Sequence, residues 1–375
     1  MLLFLTVNDL PSGVYTSQVL DVVKLMEKET KIQLVCFVSW SRLKDARAYF
    51  KQHAPGAIAL PIVAGLTRWK WNKPLISLIA KWKGTKTVIA RGPLAARLAL
   101  LAKIPFVCYD GRGAVKAEIE EFDVIKEPHL RTVFIESEQT SVLQAQHRVA
   151  VTQELVEYWR ESYGYQKDQH TIIPCTLSGH FGEEVKPNKV AALKAQHGIK
   201  ENDVVFCFSG GSAGWNSLKR TFSIFGPLLK QNPHYKIILL TKEQDYIHEF
   251  IQAHPDQVFR FWLKHHEVKE YLSMGDYGLL IREDKVTNNV ASPVKFAEYL
   301  SLGMDILISD NVRDYAAFVA THRCGIIVSE GKKLSFGPLS PEKRKSNQYI
   351  ANAYLSKESP FVRESYKELL QNIIG

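Results

Sequence analysis

Short apolar runs alternate with helix-patterned stretches along this chain, and near residue 172 the alternation stops and begins again. In the first half, Leu2–Val7, Ile32–Val38, Ile58–Pro61, Thr87–Ala90, Pro105–Tyr109, Thr132–Ile135 and Arg148–Val151 read as strands. Between them, Val14–Glu29 carries apolar residues at helical spacing, Arg42–His53 is a polar-faced helix and Leu94–Leu101 an Ala/Leu helix. After Ile172-Ile173-Pro174, strands are expected at Asp203–Ser209, Tyr235–Leu240, Val258–Trp262, Tyr277–Ile281, Asp305–Ser309 and Gly325–Val328, with helices between them. Strand and helix in alternation imply a parallel sheet with helices on both faces, because parallel neighbours need a crossover connection.

At 375 residues the chain exceeds what one hydrophobic core usually holds, so two such sheets mean two domains. The expected division is 1–171 for an N-terminal domain and 172–340 for a second. Two tail helices in 341–375, near Ser346–Leu355 and Phe361–Ile374, are expected to cross back to the first domain. The fold class is α/β: two Rossmann-like, doubly wound parallel-sheet domains facing a cleft. Ligands of such sheets bind where a strand's carboxyl end leads into a helix, so the cleft suits two substrates, one per domain.

The turns at those strand ends supply the candidate site. Ser209-Gly210-Gly211-Ser212-Ala213-Gly214 follows a strand and precedes a helix, where Gly210 and Gly211 let backbone amides approach an anion. Its spacing fits neither the dinucleotide fingerprint nor the P-loop, which disfavours a nicotinamide enzyme or a P-loop ATPase. Pro11-Ser12-Gly13-Val14-Tyr15 is a similar turn after the first strand, with Gly13 able to lie close to a ligand. Asp110 and Arg112 fall at another strand end; Asp110 could orient or deprotonate an acceptor hydroxyl and Arg112 could bind a phosphate, or the two could simply cap a turn and face solvent. In Ala291-Ser292-Pro293-Val294-Lys295-Phe296-Ala297-Glu298-Tyr299-Leu300-Ser301-Leu302-Gly303, Pro293 suits the first turn of a helix whose free amides could hold a diphosphate. Lys295 adds charge, and Glu298 lies on the same face, where a carboxylate can accept hydrogen bonds from ribose hydroxyls.

That stretch resembles the donor-site helix of family-four-type glycosyltransferases with the GT-B fold, of the bacterial polysaccharide biosynthesis kind. Their Ser/Asn-Pro-x-Lys-x-x-Glu-Tyr-Leu-x-x-Gly pattern precedes a strand, as Asp305-Ile306-Leu307-Ile308-Ser309-Asp310 does here. Gly275–Glu283, Ala90-Arg91-Gly92-Pro93, Tyr109–Gly113 and Arg148–Leu155 are similar to further segments of that family. The resemblance implies that Glu298 binds the donor ribose, that Ser292, Pro293, Val294 and Lys295 hold the diphosphate, and that Gly13, Gly210 and Gly211 lie on its phosphate side. Arg282 joins the donor set from the preceding loop. The family's second glutamate, eight residues before the ribose glutamate, is Val290 here, and Asn288 or Asn289 could take over its sugar contacts.

The activity so implied is glycosyl transfer, with retention, from a nucleoside-diphosphate sugar to a saccharide or lipid-linked saccharide hydroxyl, in surface polysaccharide biosynthesis. No cofactor is expected, and amides, helix dipole and Lys295 stabilise the leaving diphosphate without a divalent metal. A nucleotide-sugar epimerase of the same architecture, or a two-domain binding protein without chemistry, remains the alternative. Adjacent His265 and His266 would point opposite ways on an extended segment, so no metal site is read there.

The net charge of +9 could suggest nucleic acid, but no binding motif supports that partner. Leu66–Lys86 instead interleaves Trp69, Trp71 and Trp82 with six basic residues and no acidic one, a composition that suits a lipid headgroup layer. Five cysteines without a Cys-x-x-Cys pair and a start too short for a signal peptide lead us to expect a cytoplasmic protein, peripheral at the inner face of the plasma membrane.

Overall fold

The computed structural model of the protein describes all residues except 178, 183–184, 212, 330–333 and 375, and the side chains of 180, 182 and 265 also fall outside it. The chain divides into two compact units. The first comprises Met1–Thr176, Val290–Ser292 and Pro360–Gly375, and the second Leu177–Asn289 and Pro293–Ser359.

The first unit holds seven strands: β1 Leu2–Val7, β2 Ile32–Val38, β3 Ile58–Pro61, β4 Thr87–Arg91, β5 Phe106–Asp110, β6 His147–Ala150 and β7 His170–Ile172. They pair in the order β3-β2-β1-β4-β5-β6-β7, every neighbour parallel. Strands covered by helices on both faces need apolar side chains on both, and β1 and β2 are buried almost throughout for that reason. The helix Pro360–Ile374 belongs to this unit, its Val362, Tyr366, Leu369, Leu370 and Ile373 packing into the same cluster as Leu2, Phe4 and Val19. The other tail helix, Pro341–Ile350, belongs to the second unit, where Ile350 joins the core around Phe296 and Leu300.

One expected strand is a helix. Thr132–Ile135 is rich in β-branched residues, yet it lies inside the helix Pro128–Gln144. The Glu127 carboxylate accepts the amides of His129 and Leu130, and Pro128 occupies the first helical position, so the start is capped firmly enough to override strand propensity.

The second unit holds β8 Val204–Ser209, β9 Tyr235–Leu240, β10 Val258–Phe261, β11 Tyr277–Leu280, β12 Asp305–Ser309 and β13 Gly325–Val328, in the parallel order β10-β9-β8-β11-β12-β13. Its two apolar clusters, one around Phe296 and Leu300 and one around Phe206 and Phe225, enclose the sheet's strands. Both sheets are doubly wound, as the alternation requires.

The helix Val294–Ser301 packs unusually close to β11. A Cβ at Gly278 would sit 2.2 Å from the ring of Tyr299, and the Tyr299 hydroxyl accepts the Ser209 amide at 2.8 Å. Gly278→Ala is therefore expected to destabilise the protein by about 2–3 kcal/mol through overpacking, read as a lower urea midpoint with an unchanged slope.

Candidate functional site

In the second sheet the strand order reverses between β8 and β11, so the loops after these two strands diverge at their carboxyl ends. A cavity of about 220 Å3 opens there, lined by Gly211, Asn216, Ser217, Lys219, Tyr246 and Glu283 among others. Ser217 adopts a left-handed φ of 49° and its hydroxyl accepts the Glu283 amide at 3.1 Å, joining the two loops. The helix Leu218–Gln231 starts at Ser217 with no side-chain cap on its first turn. Gly210 continues the ladder through its amide to the Leu240 carbonyl, while Gly211 is exposed with open space around it. Ser212, the next residue of the expected turn, lies outside the described residues.

Arg282 follows β11 and is 8% exposed. Its backbone is pinned: the amide donates to Ser309 Oγ at the end of β12 at 3.0 Å, and the carbonyl accepts from Asn311 Nδ2 at 3.2 Å. Its guanidinium reaches Asn288 Oδ1 at 3.5 Å, and no carboxylate pairs with it among the described residues. Burial pulls this guanidinium down to about 10, with no neighbouring carboxylate to restore it. A buried cation without a countercharge is costly, and a site that receives an anion is one arrangement that repays it.

The helix Val294–Ser301 begins one residue later than expected: Pro293, extended at φ −75° and ψ 117°, precedes it and supplies no side-chain cap. The Phe296 amide turns back to the Pro293 carbonyl, which leaves the amides of Val294 and Lys295 at the open helix end. Lys295 Nζ lies 2.6 Å from Glu298 Oε2, an i,i+3 ion pair in which Glu298 is buried and Lys295 partly exposed. The Ser292 hydroxyl, expected on the diphosphate, accepts the Cys175 amide at 2.8 Å, and the Val290 carbonyl accepts the Thr152 hydroxyl at 2.8 Å. Val290–Ser292 thus belongs to the first unit and anchors the chain just before Pro293.

In the first unit, Asp110 and Arg112 do come together, but with Asp9 and Arg91 as well. Asp110 is 1% exposed and lies between Arg112 Nε at 2.8 Å and Arg91 Nη1 at 3.5 Å, while Arg91 Nε holds Asp9 at 2.9 Å. Burial works against the Arg112 charge, and Asp110 together with Tyr366 and Cys175 more than offsets it, raising the guanidinium above its ordinary value. The Asp110 carboxylate therefore fixes the Arg112 guanidinium in place at the strand end. Gly13 is exposed and opens the turn Gly13–Tyr15, whose start is capped by Ser12 Oγ on the Tyr15 amide.

Among the described residues, no group of three His, Cys, Asp or Glu side chains is placed to hold a metal, and no helix is long and apolar enough to cross a membrane. The side chain of His265 is outside the description; Glu267 accepts the Lys264 amide at the start of that helix.

Neither a protein-family model nor a curated protein sequence matches this chain. Solved structures do match along its whole length. Sucrose-phosphate synthase from Thermosynechococcus elongatus superposes with a TM-score of 0.70 at 10% identity, covering 99% of this chain and 98% of its own. HepE from Anabaena, solved with UDP and glucose, gives 0.65 at 13% identity, covering 99% and 100%. The chain has the GT-B fold. UDP-GlcNAc 2-epimerase from Neisseria meningitidis, bound to UDP-GlcNAc, gives 0.54 at 14% identity, covering 99% of each chain.

Sequence reasoning missed the Tyr299 hydroxyl on Ser209, the left-handed Ser217 that joins two loops, and the Asp9–Arg91 pair beside Asp110. Only the last carried a signal: charged residues directly after β1 and at the end of β4, two strands whose adjacency follows from doubly wound topology.

Proposed function

We propose that this chain transfers a sugar from a nucleoside-diphosphate sugar to a hydroxyl of a saccharide or lipid-linked saccharide, with retention at the anomeric carbon, in surface polysaccharide biosynthesis. The observation that carries this reading is Arg282: a buried, unpaired guanidinium at the strand-order reversal of a sheet whose neighbouring loops enclose a cavity. The open amides of Val294 and Lys295, the helix dipole and Arg282 together suit a diphosphate. Lys295 then leaves Glu298 for the phosphate, which frees the Glu298 carboxylate to accept the ribose hydroxyls. Gly210 and Gly211 line the phosphate side. These groups supply the countercharge for a departing diphosphate, so the reading requires no divalent ion. In the first unit, an Arg112 steadied by Asp110 serves the acceptor, and Gly13 serves the donor phosphate.

HepE was solved with UDP, which makes UDP the first nucleotide to test. In a thermal-shift panel of UDP, GDP, ADP and CMP, one nucleoside diphosphate should stabilise the protein, by about 2.7 kcal/mol at a hundredfold excess over Kd. Glu298→Ala should lower donor turnover about ten- to hundredfold, the loss of one or two hydrogen bonds to a charged acceptor. Wild-type turnover in that variant, or an epimerised sugar formed without acceptor, would contradict the assignment.

A further inference from the structure

The basic residues of this chain are segregated. From Ala46 to Tyr109 there is no Asp or Glu, and eleven Lys and Arg residues fall in that span, against a whole-chain charge of +9. The rest of the chain is close to neutral. Within the span, Arg91 and Arg97 have carboxylate partners, whereas Arg68, Lys70, Lys73, Lys81 and Lys86 are exposed.

The same surface presents a hydrophobic ridge. Leu66–Asn72 forms a short helix that leads into the helix Lys73–Lys83, which Gly84 closes in a left-handed conformation. The inner side is fixed: Trp69, Ile76 and Ile79 are buried, and Asn72 accepts the Val63 amide and donates to the Trp69 carbonyl. The outer side carries Trp71, Leu78 and Trp82, exposed by 59%, 64% and 69%. A spacing of four residues places Leu78 and Trp82 on one flank of the helix Lys73–Lys83, and Trp71 is exposed just before its start. Arg68 lies over the Trp71 ring and Lys83 over the Trp82 ring, so the cations flank the indoles they would accompany into a headgroup layer.

We infer that this face docks on an anionic lipid bilayer, with Trp71, Leu78 and Trp82 in the headgroup–acyl boundary and the lysines among the anionic headgroups. Charge complementarity selects an acidic partner and opposes a second copy of the same basic face. The ridge then selects among acidic partners, because a polyanion such as nucleic acid gives two indoles and a leucine no apolar interior to enter. The inference does not depend on which sugar or nucleotide the protein uses.

The test is co-sedimentation of the full chain with vesicles of phosphatidylcholine alone and with phosphatidylglycerol added to about 30%, at low, physiological and high salt. Binding is expected only with the anionic lipid, falling as salt rises. Two variants separate the contributions: Trp71→Ser/Leu78→Ser/Trp82→Ser and Lys70→Glu/Lys73→Glu/Lys81→Glu. Each should weaken partitioning by roughly tenfold or more while keeping the parent's melting temperature and its response to nucleoside diphosphate. The two variants alter different surface side chains, so loss of fold in one leaves the other to decide. Absence of binding to anionic vesicles, undiminished binding by the serine variant, or equally tight binding of both variants to duplex nucleic acid would each overturn the inference.

Discussion

Replacing Arg282 with methionine is expected to raise the stability of the protein and to remove its response to nucleoside diphosphate. The guanidinium is 8% exposed, its side-chain bond to Asn288 is long at 3.5 Å, and burial holds it at about 10. That depression corresponds to about 3 kcal/mol of unfavourable charge burial, which methionine of similar length does not incur. The free protein should therefore melt higher. Ligand affinity should move the other way, since each hydrogen bond from a charged donor to a phosphate contributes about 1.5–3 kcal/mol, and a hundredfold loss needs only one or two. The combination is the informative result. A group kept for structure lowers stability when removed, and a group kept for a ligand lowers affinity alone. Thermal melts with and without UDP or its best substitute read both quantities in one experiment. A methionine variant that melts well below the parent would make Arg282 a structural residue, and one that still responds to nucleotide would remove it from the site.

The strands were legible because a parallel strand buried on both faces must be largely apolar over four to seven residues, and turn residues bound most of these runs. Leu2–Val7, Ile32–Val38, Ile58–Pro61, Tyr235–Leu240, Asp305–Ser309 and Gly325–Val328 were placed to the residue. Thr132–Ile135 failed on the same criterion: a short β-branched run looks identical in a strand and on a capped helix, and the cap at Glu127 is three-dimensional information. The tail was half legible. Both helices follow from their spacing, but which unit each joins depends on complementary surfaces, and only Pro360–Ile374 returns to the first.

The candidate site was legible where the chemistry is local. Pro293, Lys295 and Glu298 sit within six residues, so helical spacing alone sets Lys295 beside Glu298. Ser292 was not legible in the same way. Its hydroxyl is taken by Cys175, more than a hundred positions earlier, because the chain passes through the first unit at Val290–Ser292 before the helix begins. Asp110 shows the same limit: its place at a strand end and its neighbour Arg112 were clear, but its second arginine partner, Arg91, comes from the end of the adjacent strand β4.

The stability contributed by Glu118 and Glu138 should fall as pH rises from about 4.5 to about 7, and Glu118→Gln should remove much of that fall. Glu138 is fully buried, accepts the amides of Val115 and Lys116 at 2.9 and 2.8 Å, and takes a hydrogen bond from the Tyr163 hydroxyl at 2.7 Å. Burial pushes its carboxyl up to about 7, although those three bonds pull the other way. Glu118 is pushed up to about 7 as well, by burial first and then by the negative charge of Glu138. Both groups therefore bind protons more tightly in the folded chain than in the unfolded one, and the stability they contribute is complete below the unfolded value, near 4.5, and is lost as pH climbs through 7. Glutamine at 118 cannot ionise and presents no charge to Glu138. The stability difference between variant and parent should accordingly grow in the variant's favour by up to about 3 kcal/mol across this window and stay level above it. The consequence reaches Arg112. A Cβ at Gly113 would meet a Glu118 carboxylate oxygen, so that carboxylate rests against the loop Gly111-Arg112-Gly113. Ionising the pair puts two negative charges under the loop that positions the Arg112 guanidinium, and the glutamine variant should hold that loop to higher pH. Urea titrations of both proteins at intervals from pH 5 to 8 measure the difference directly. A difference that does not change with pH would show that Glu118 ionises in the folded chain as it does in the unfolded one, and that the loop does not depend on its neutral form.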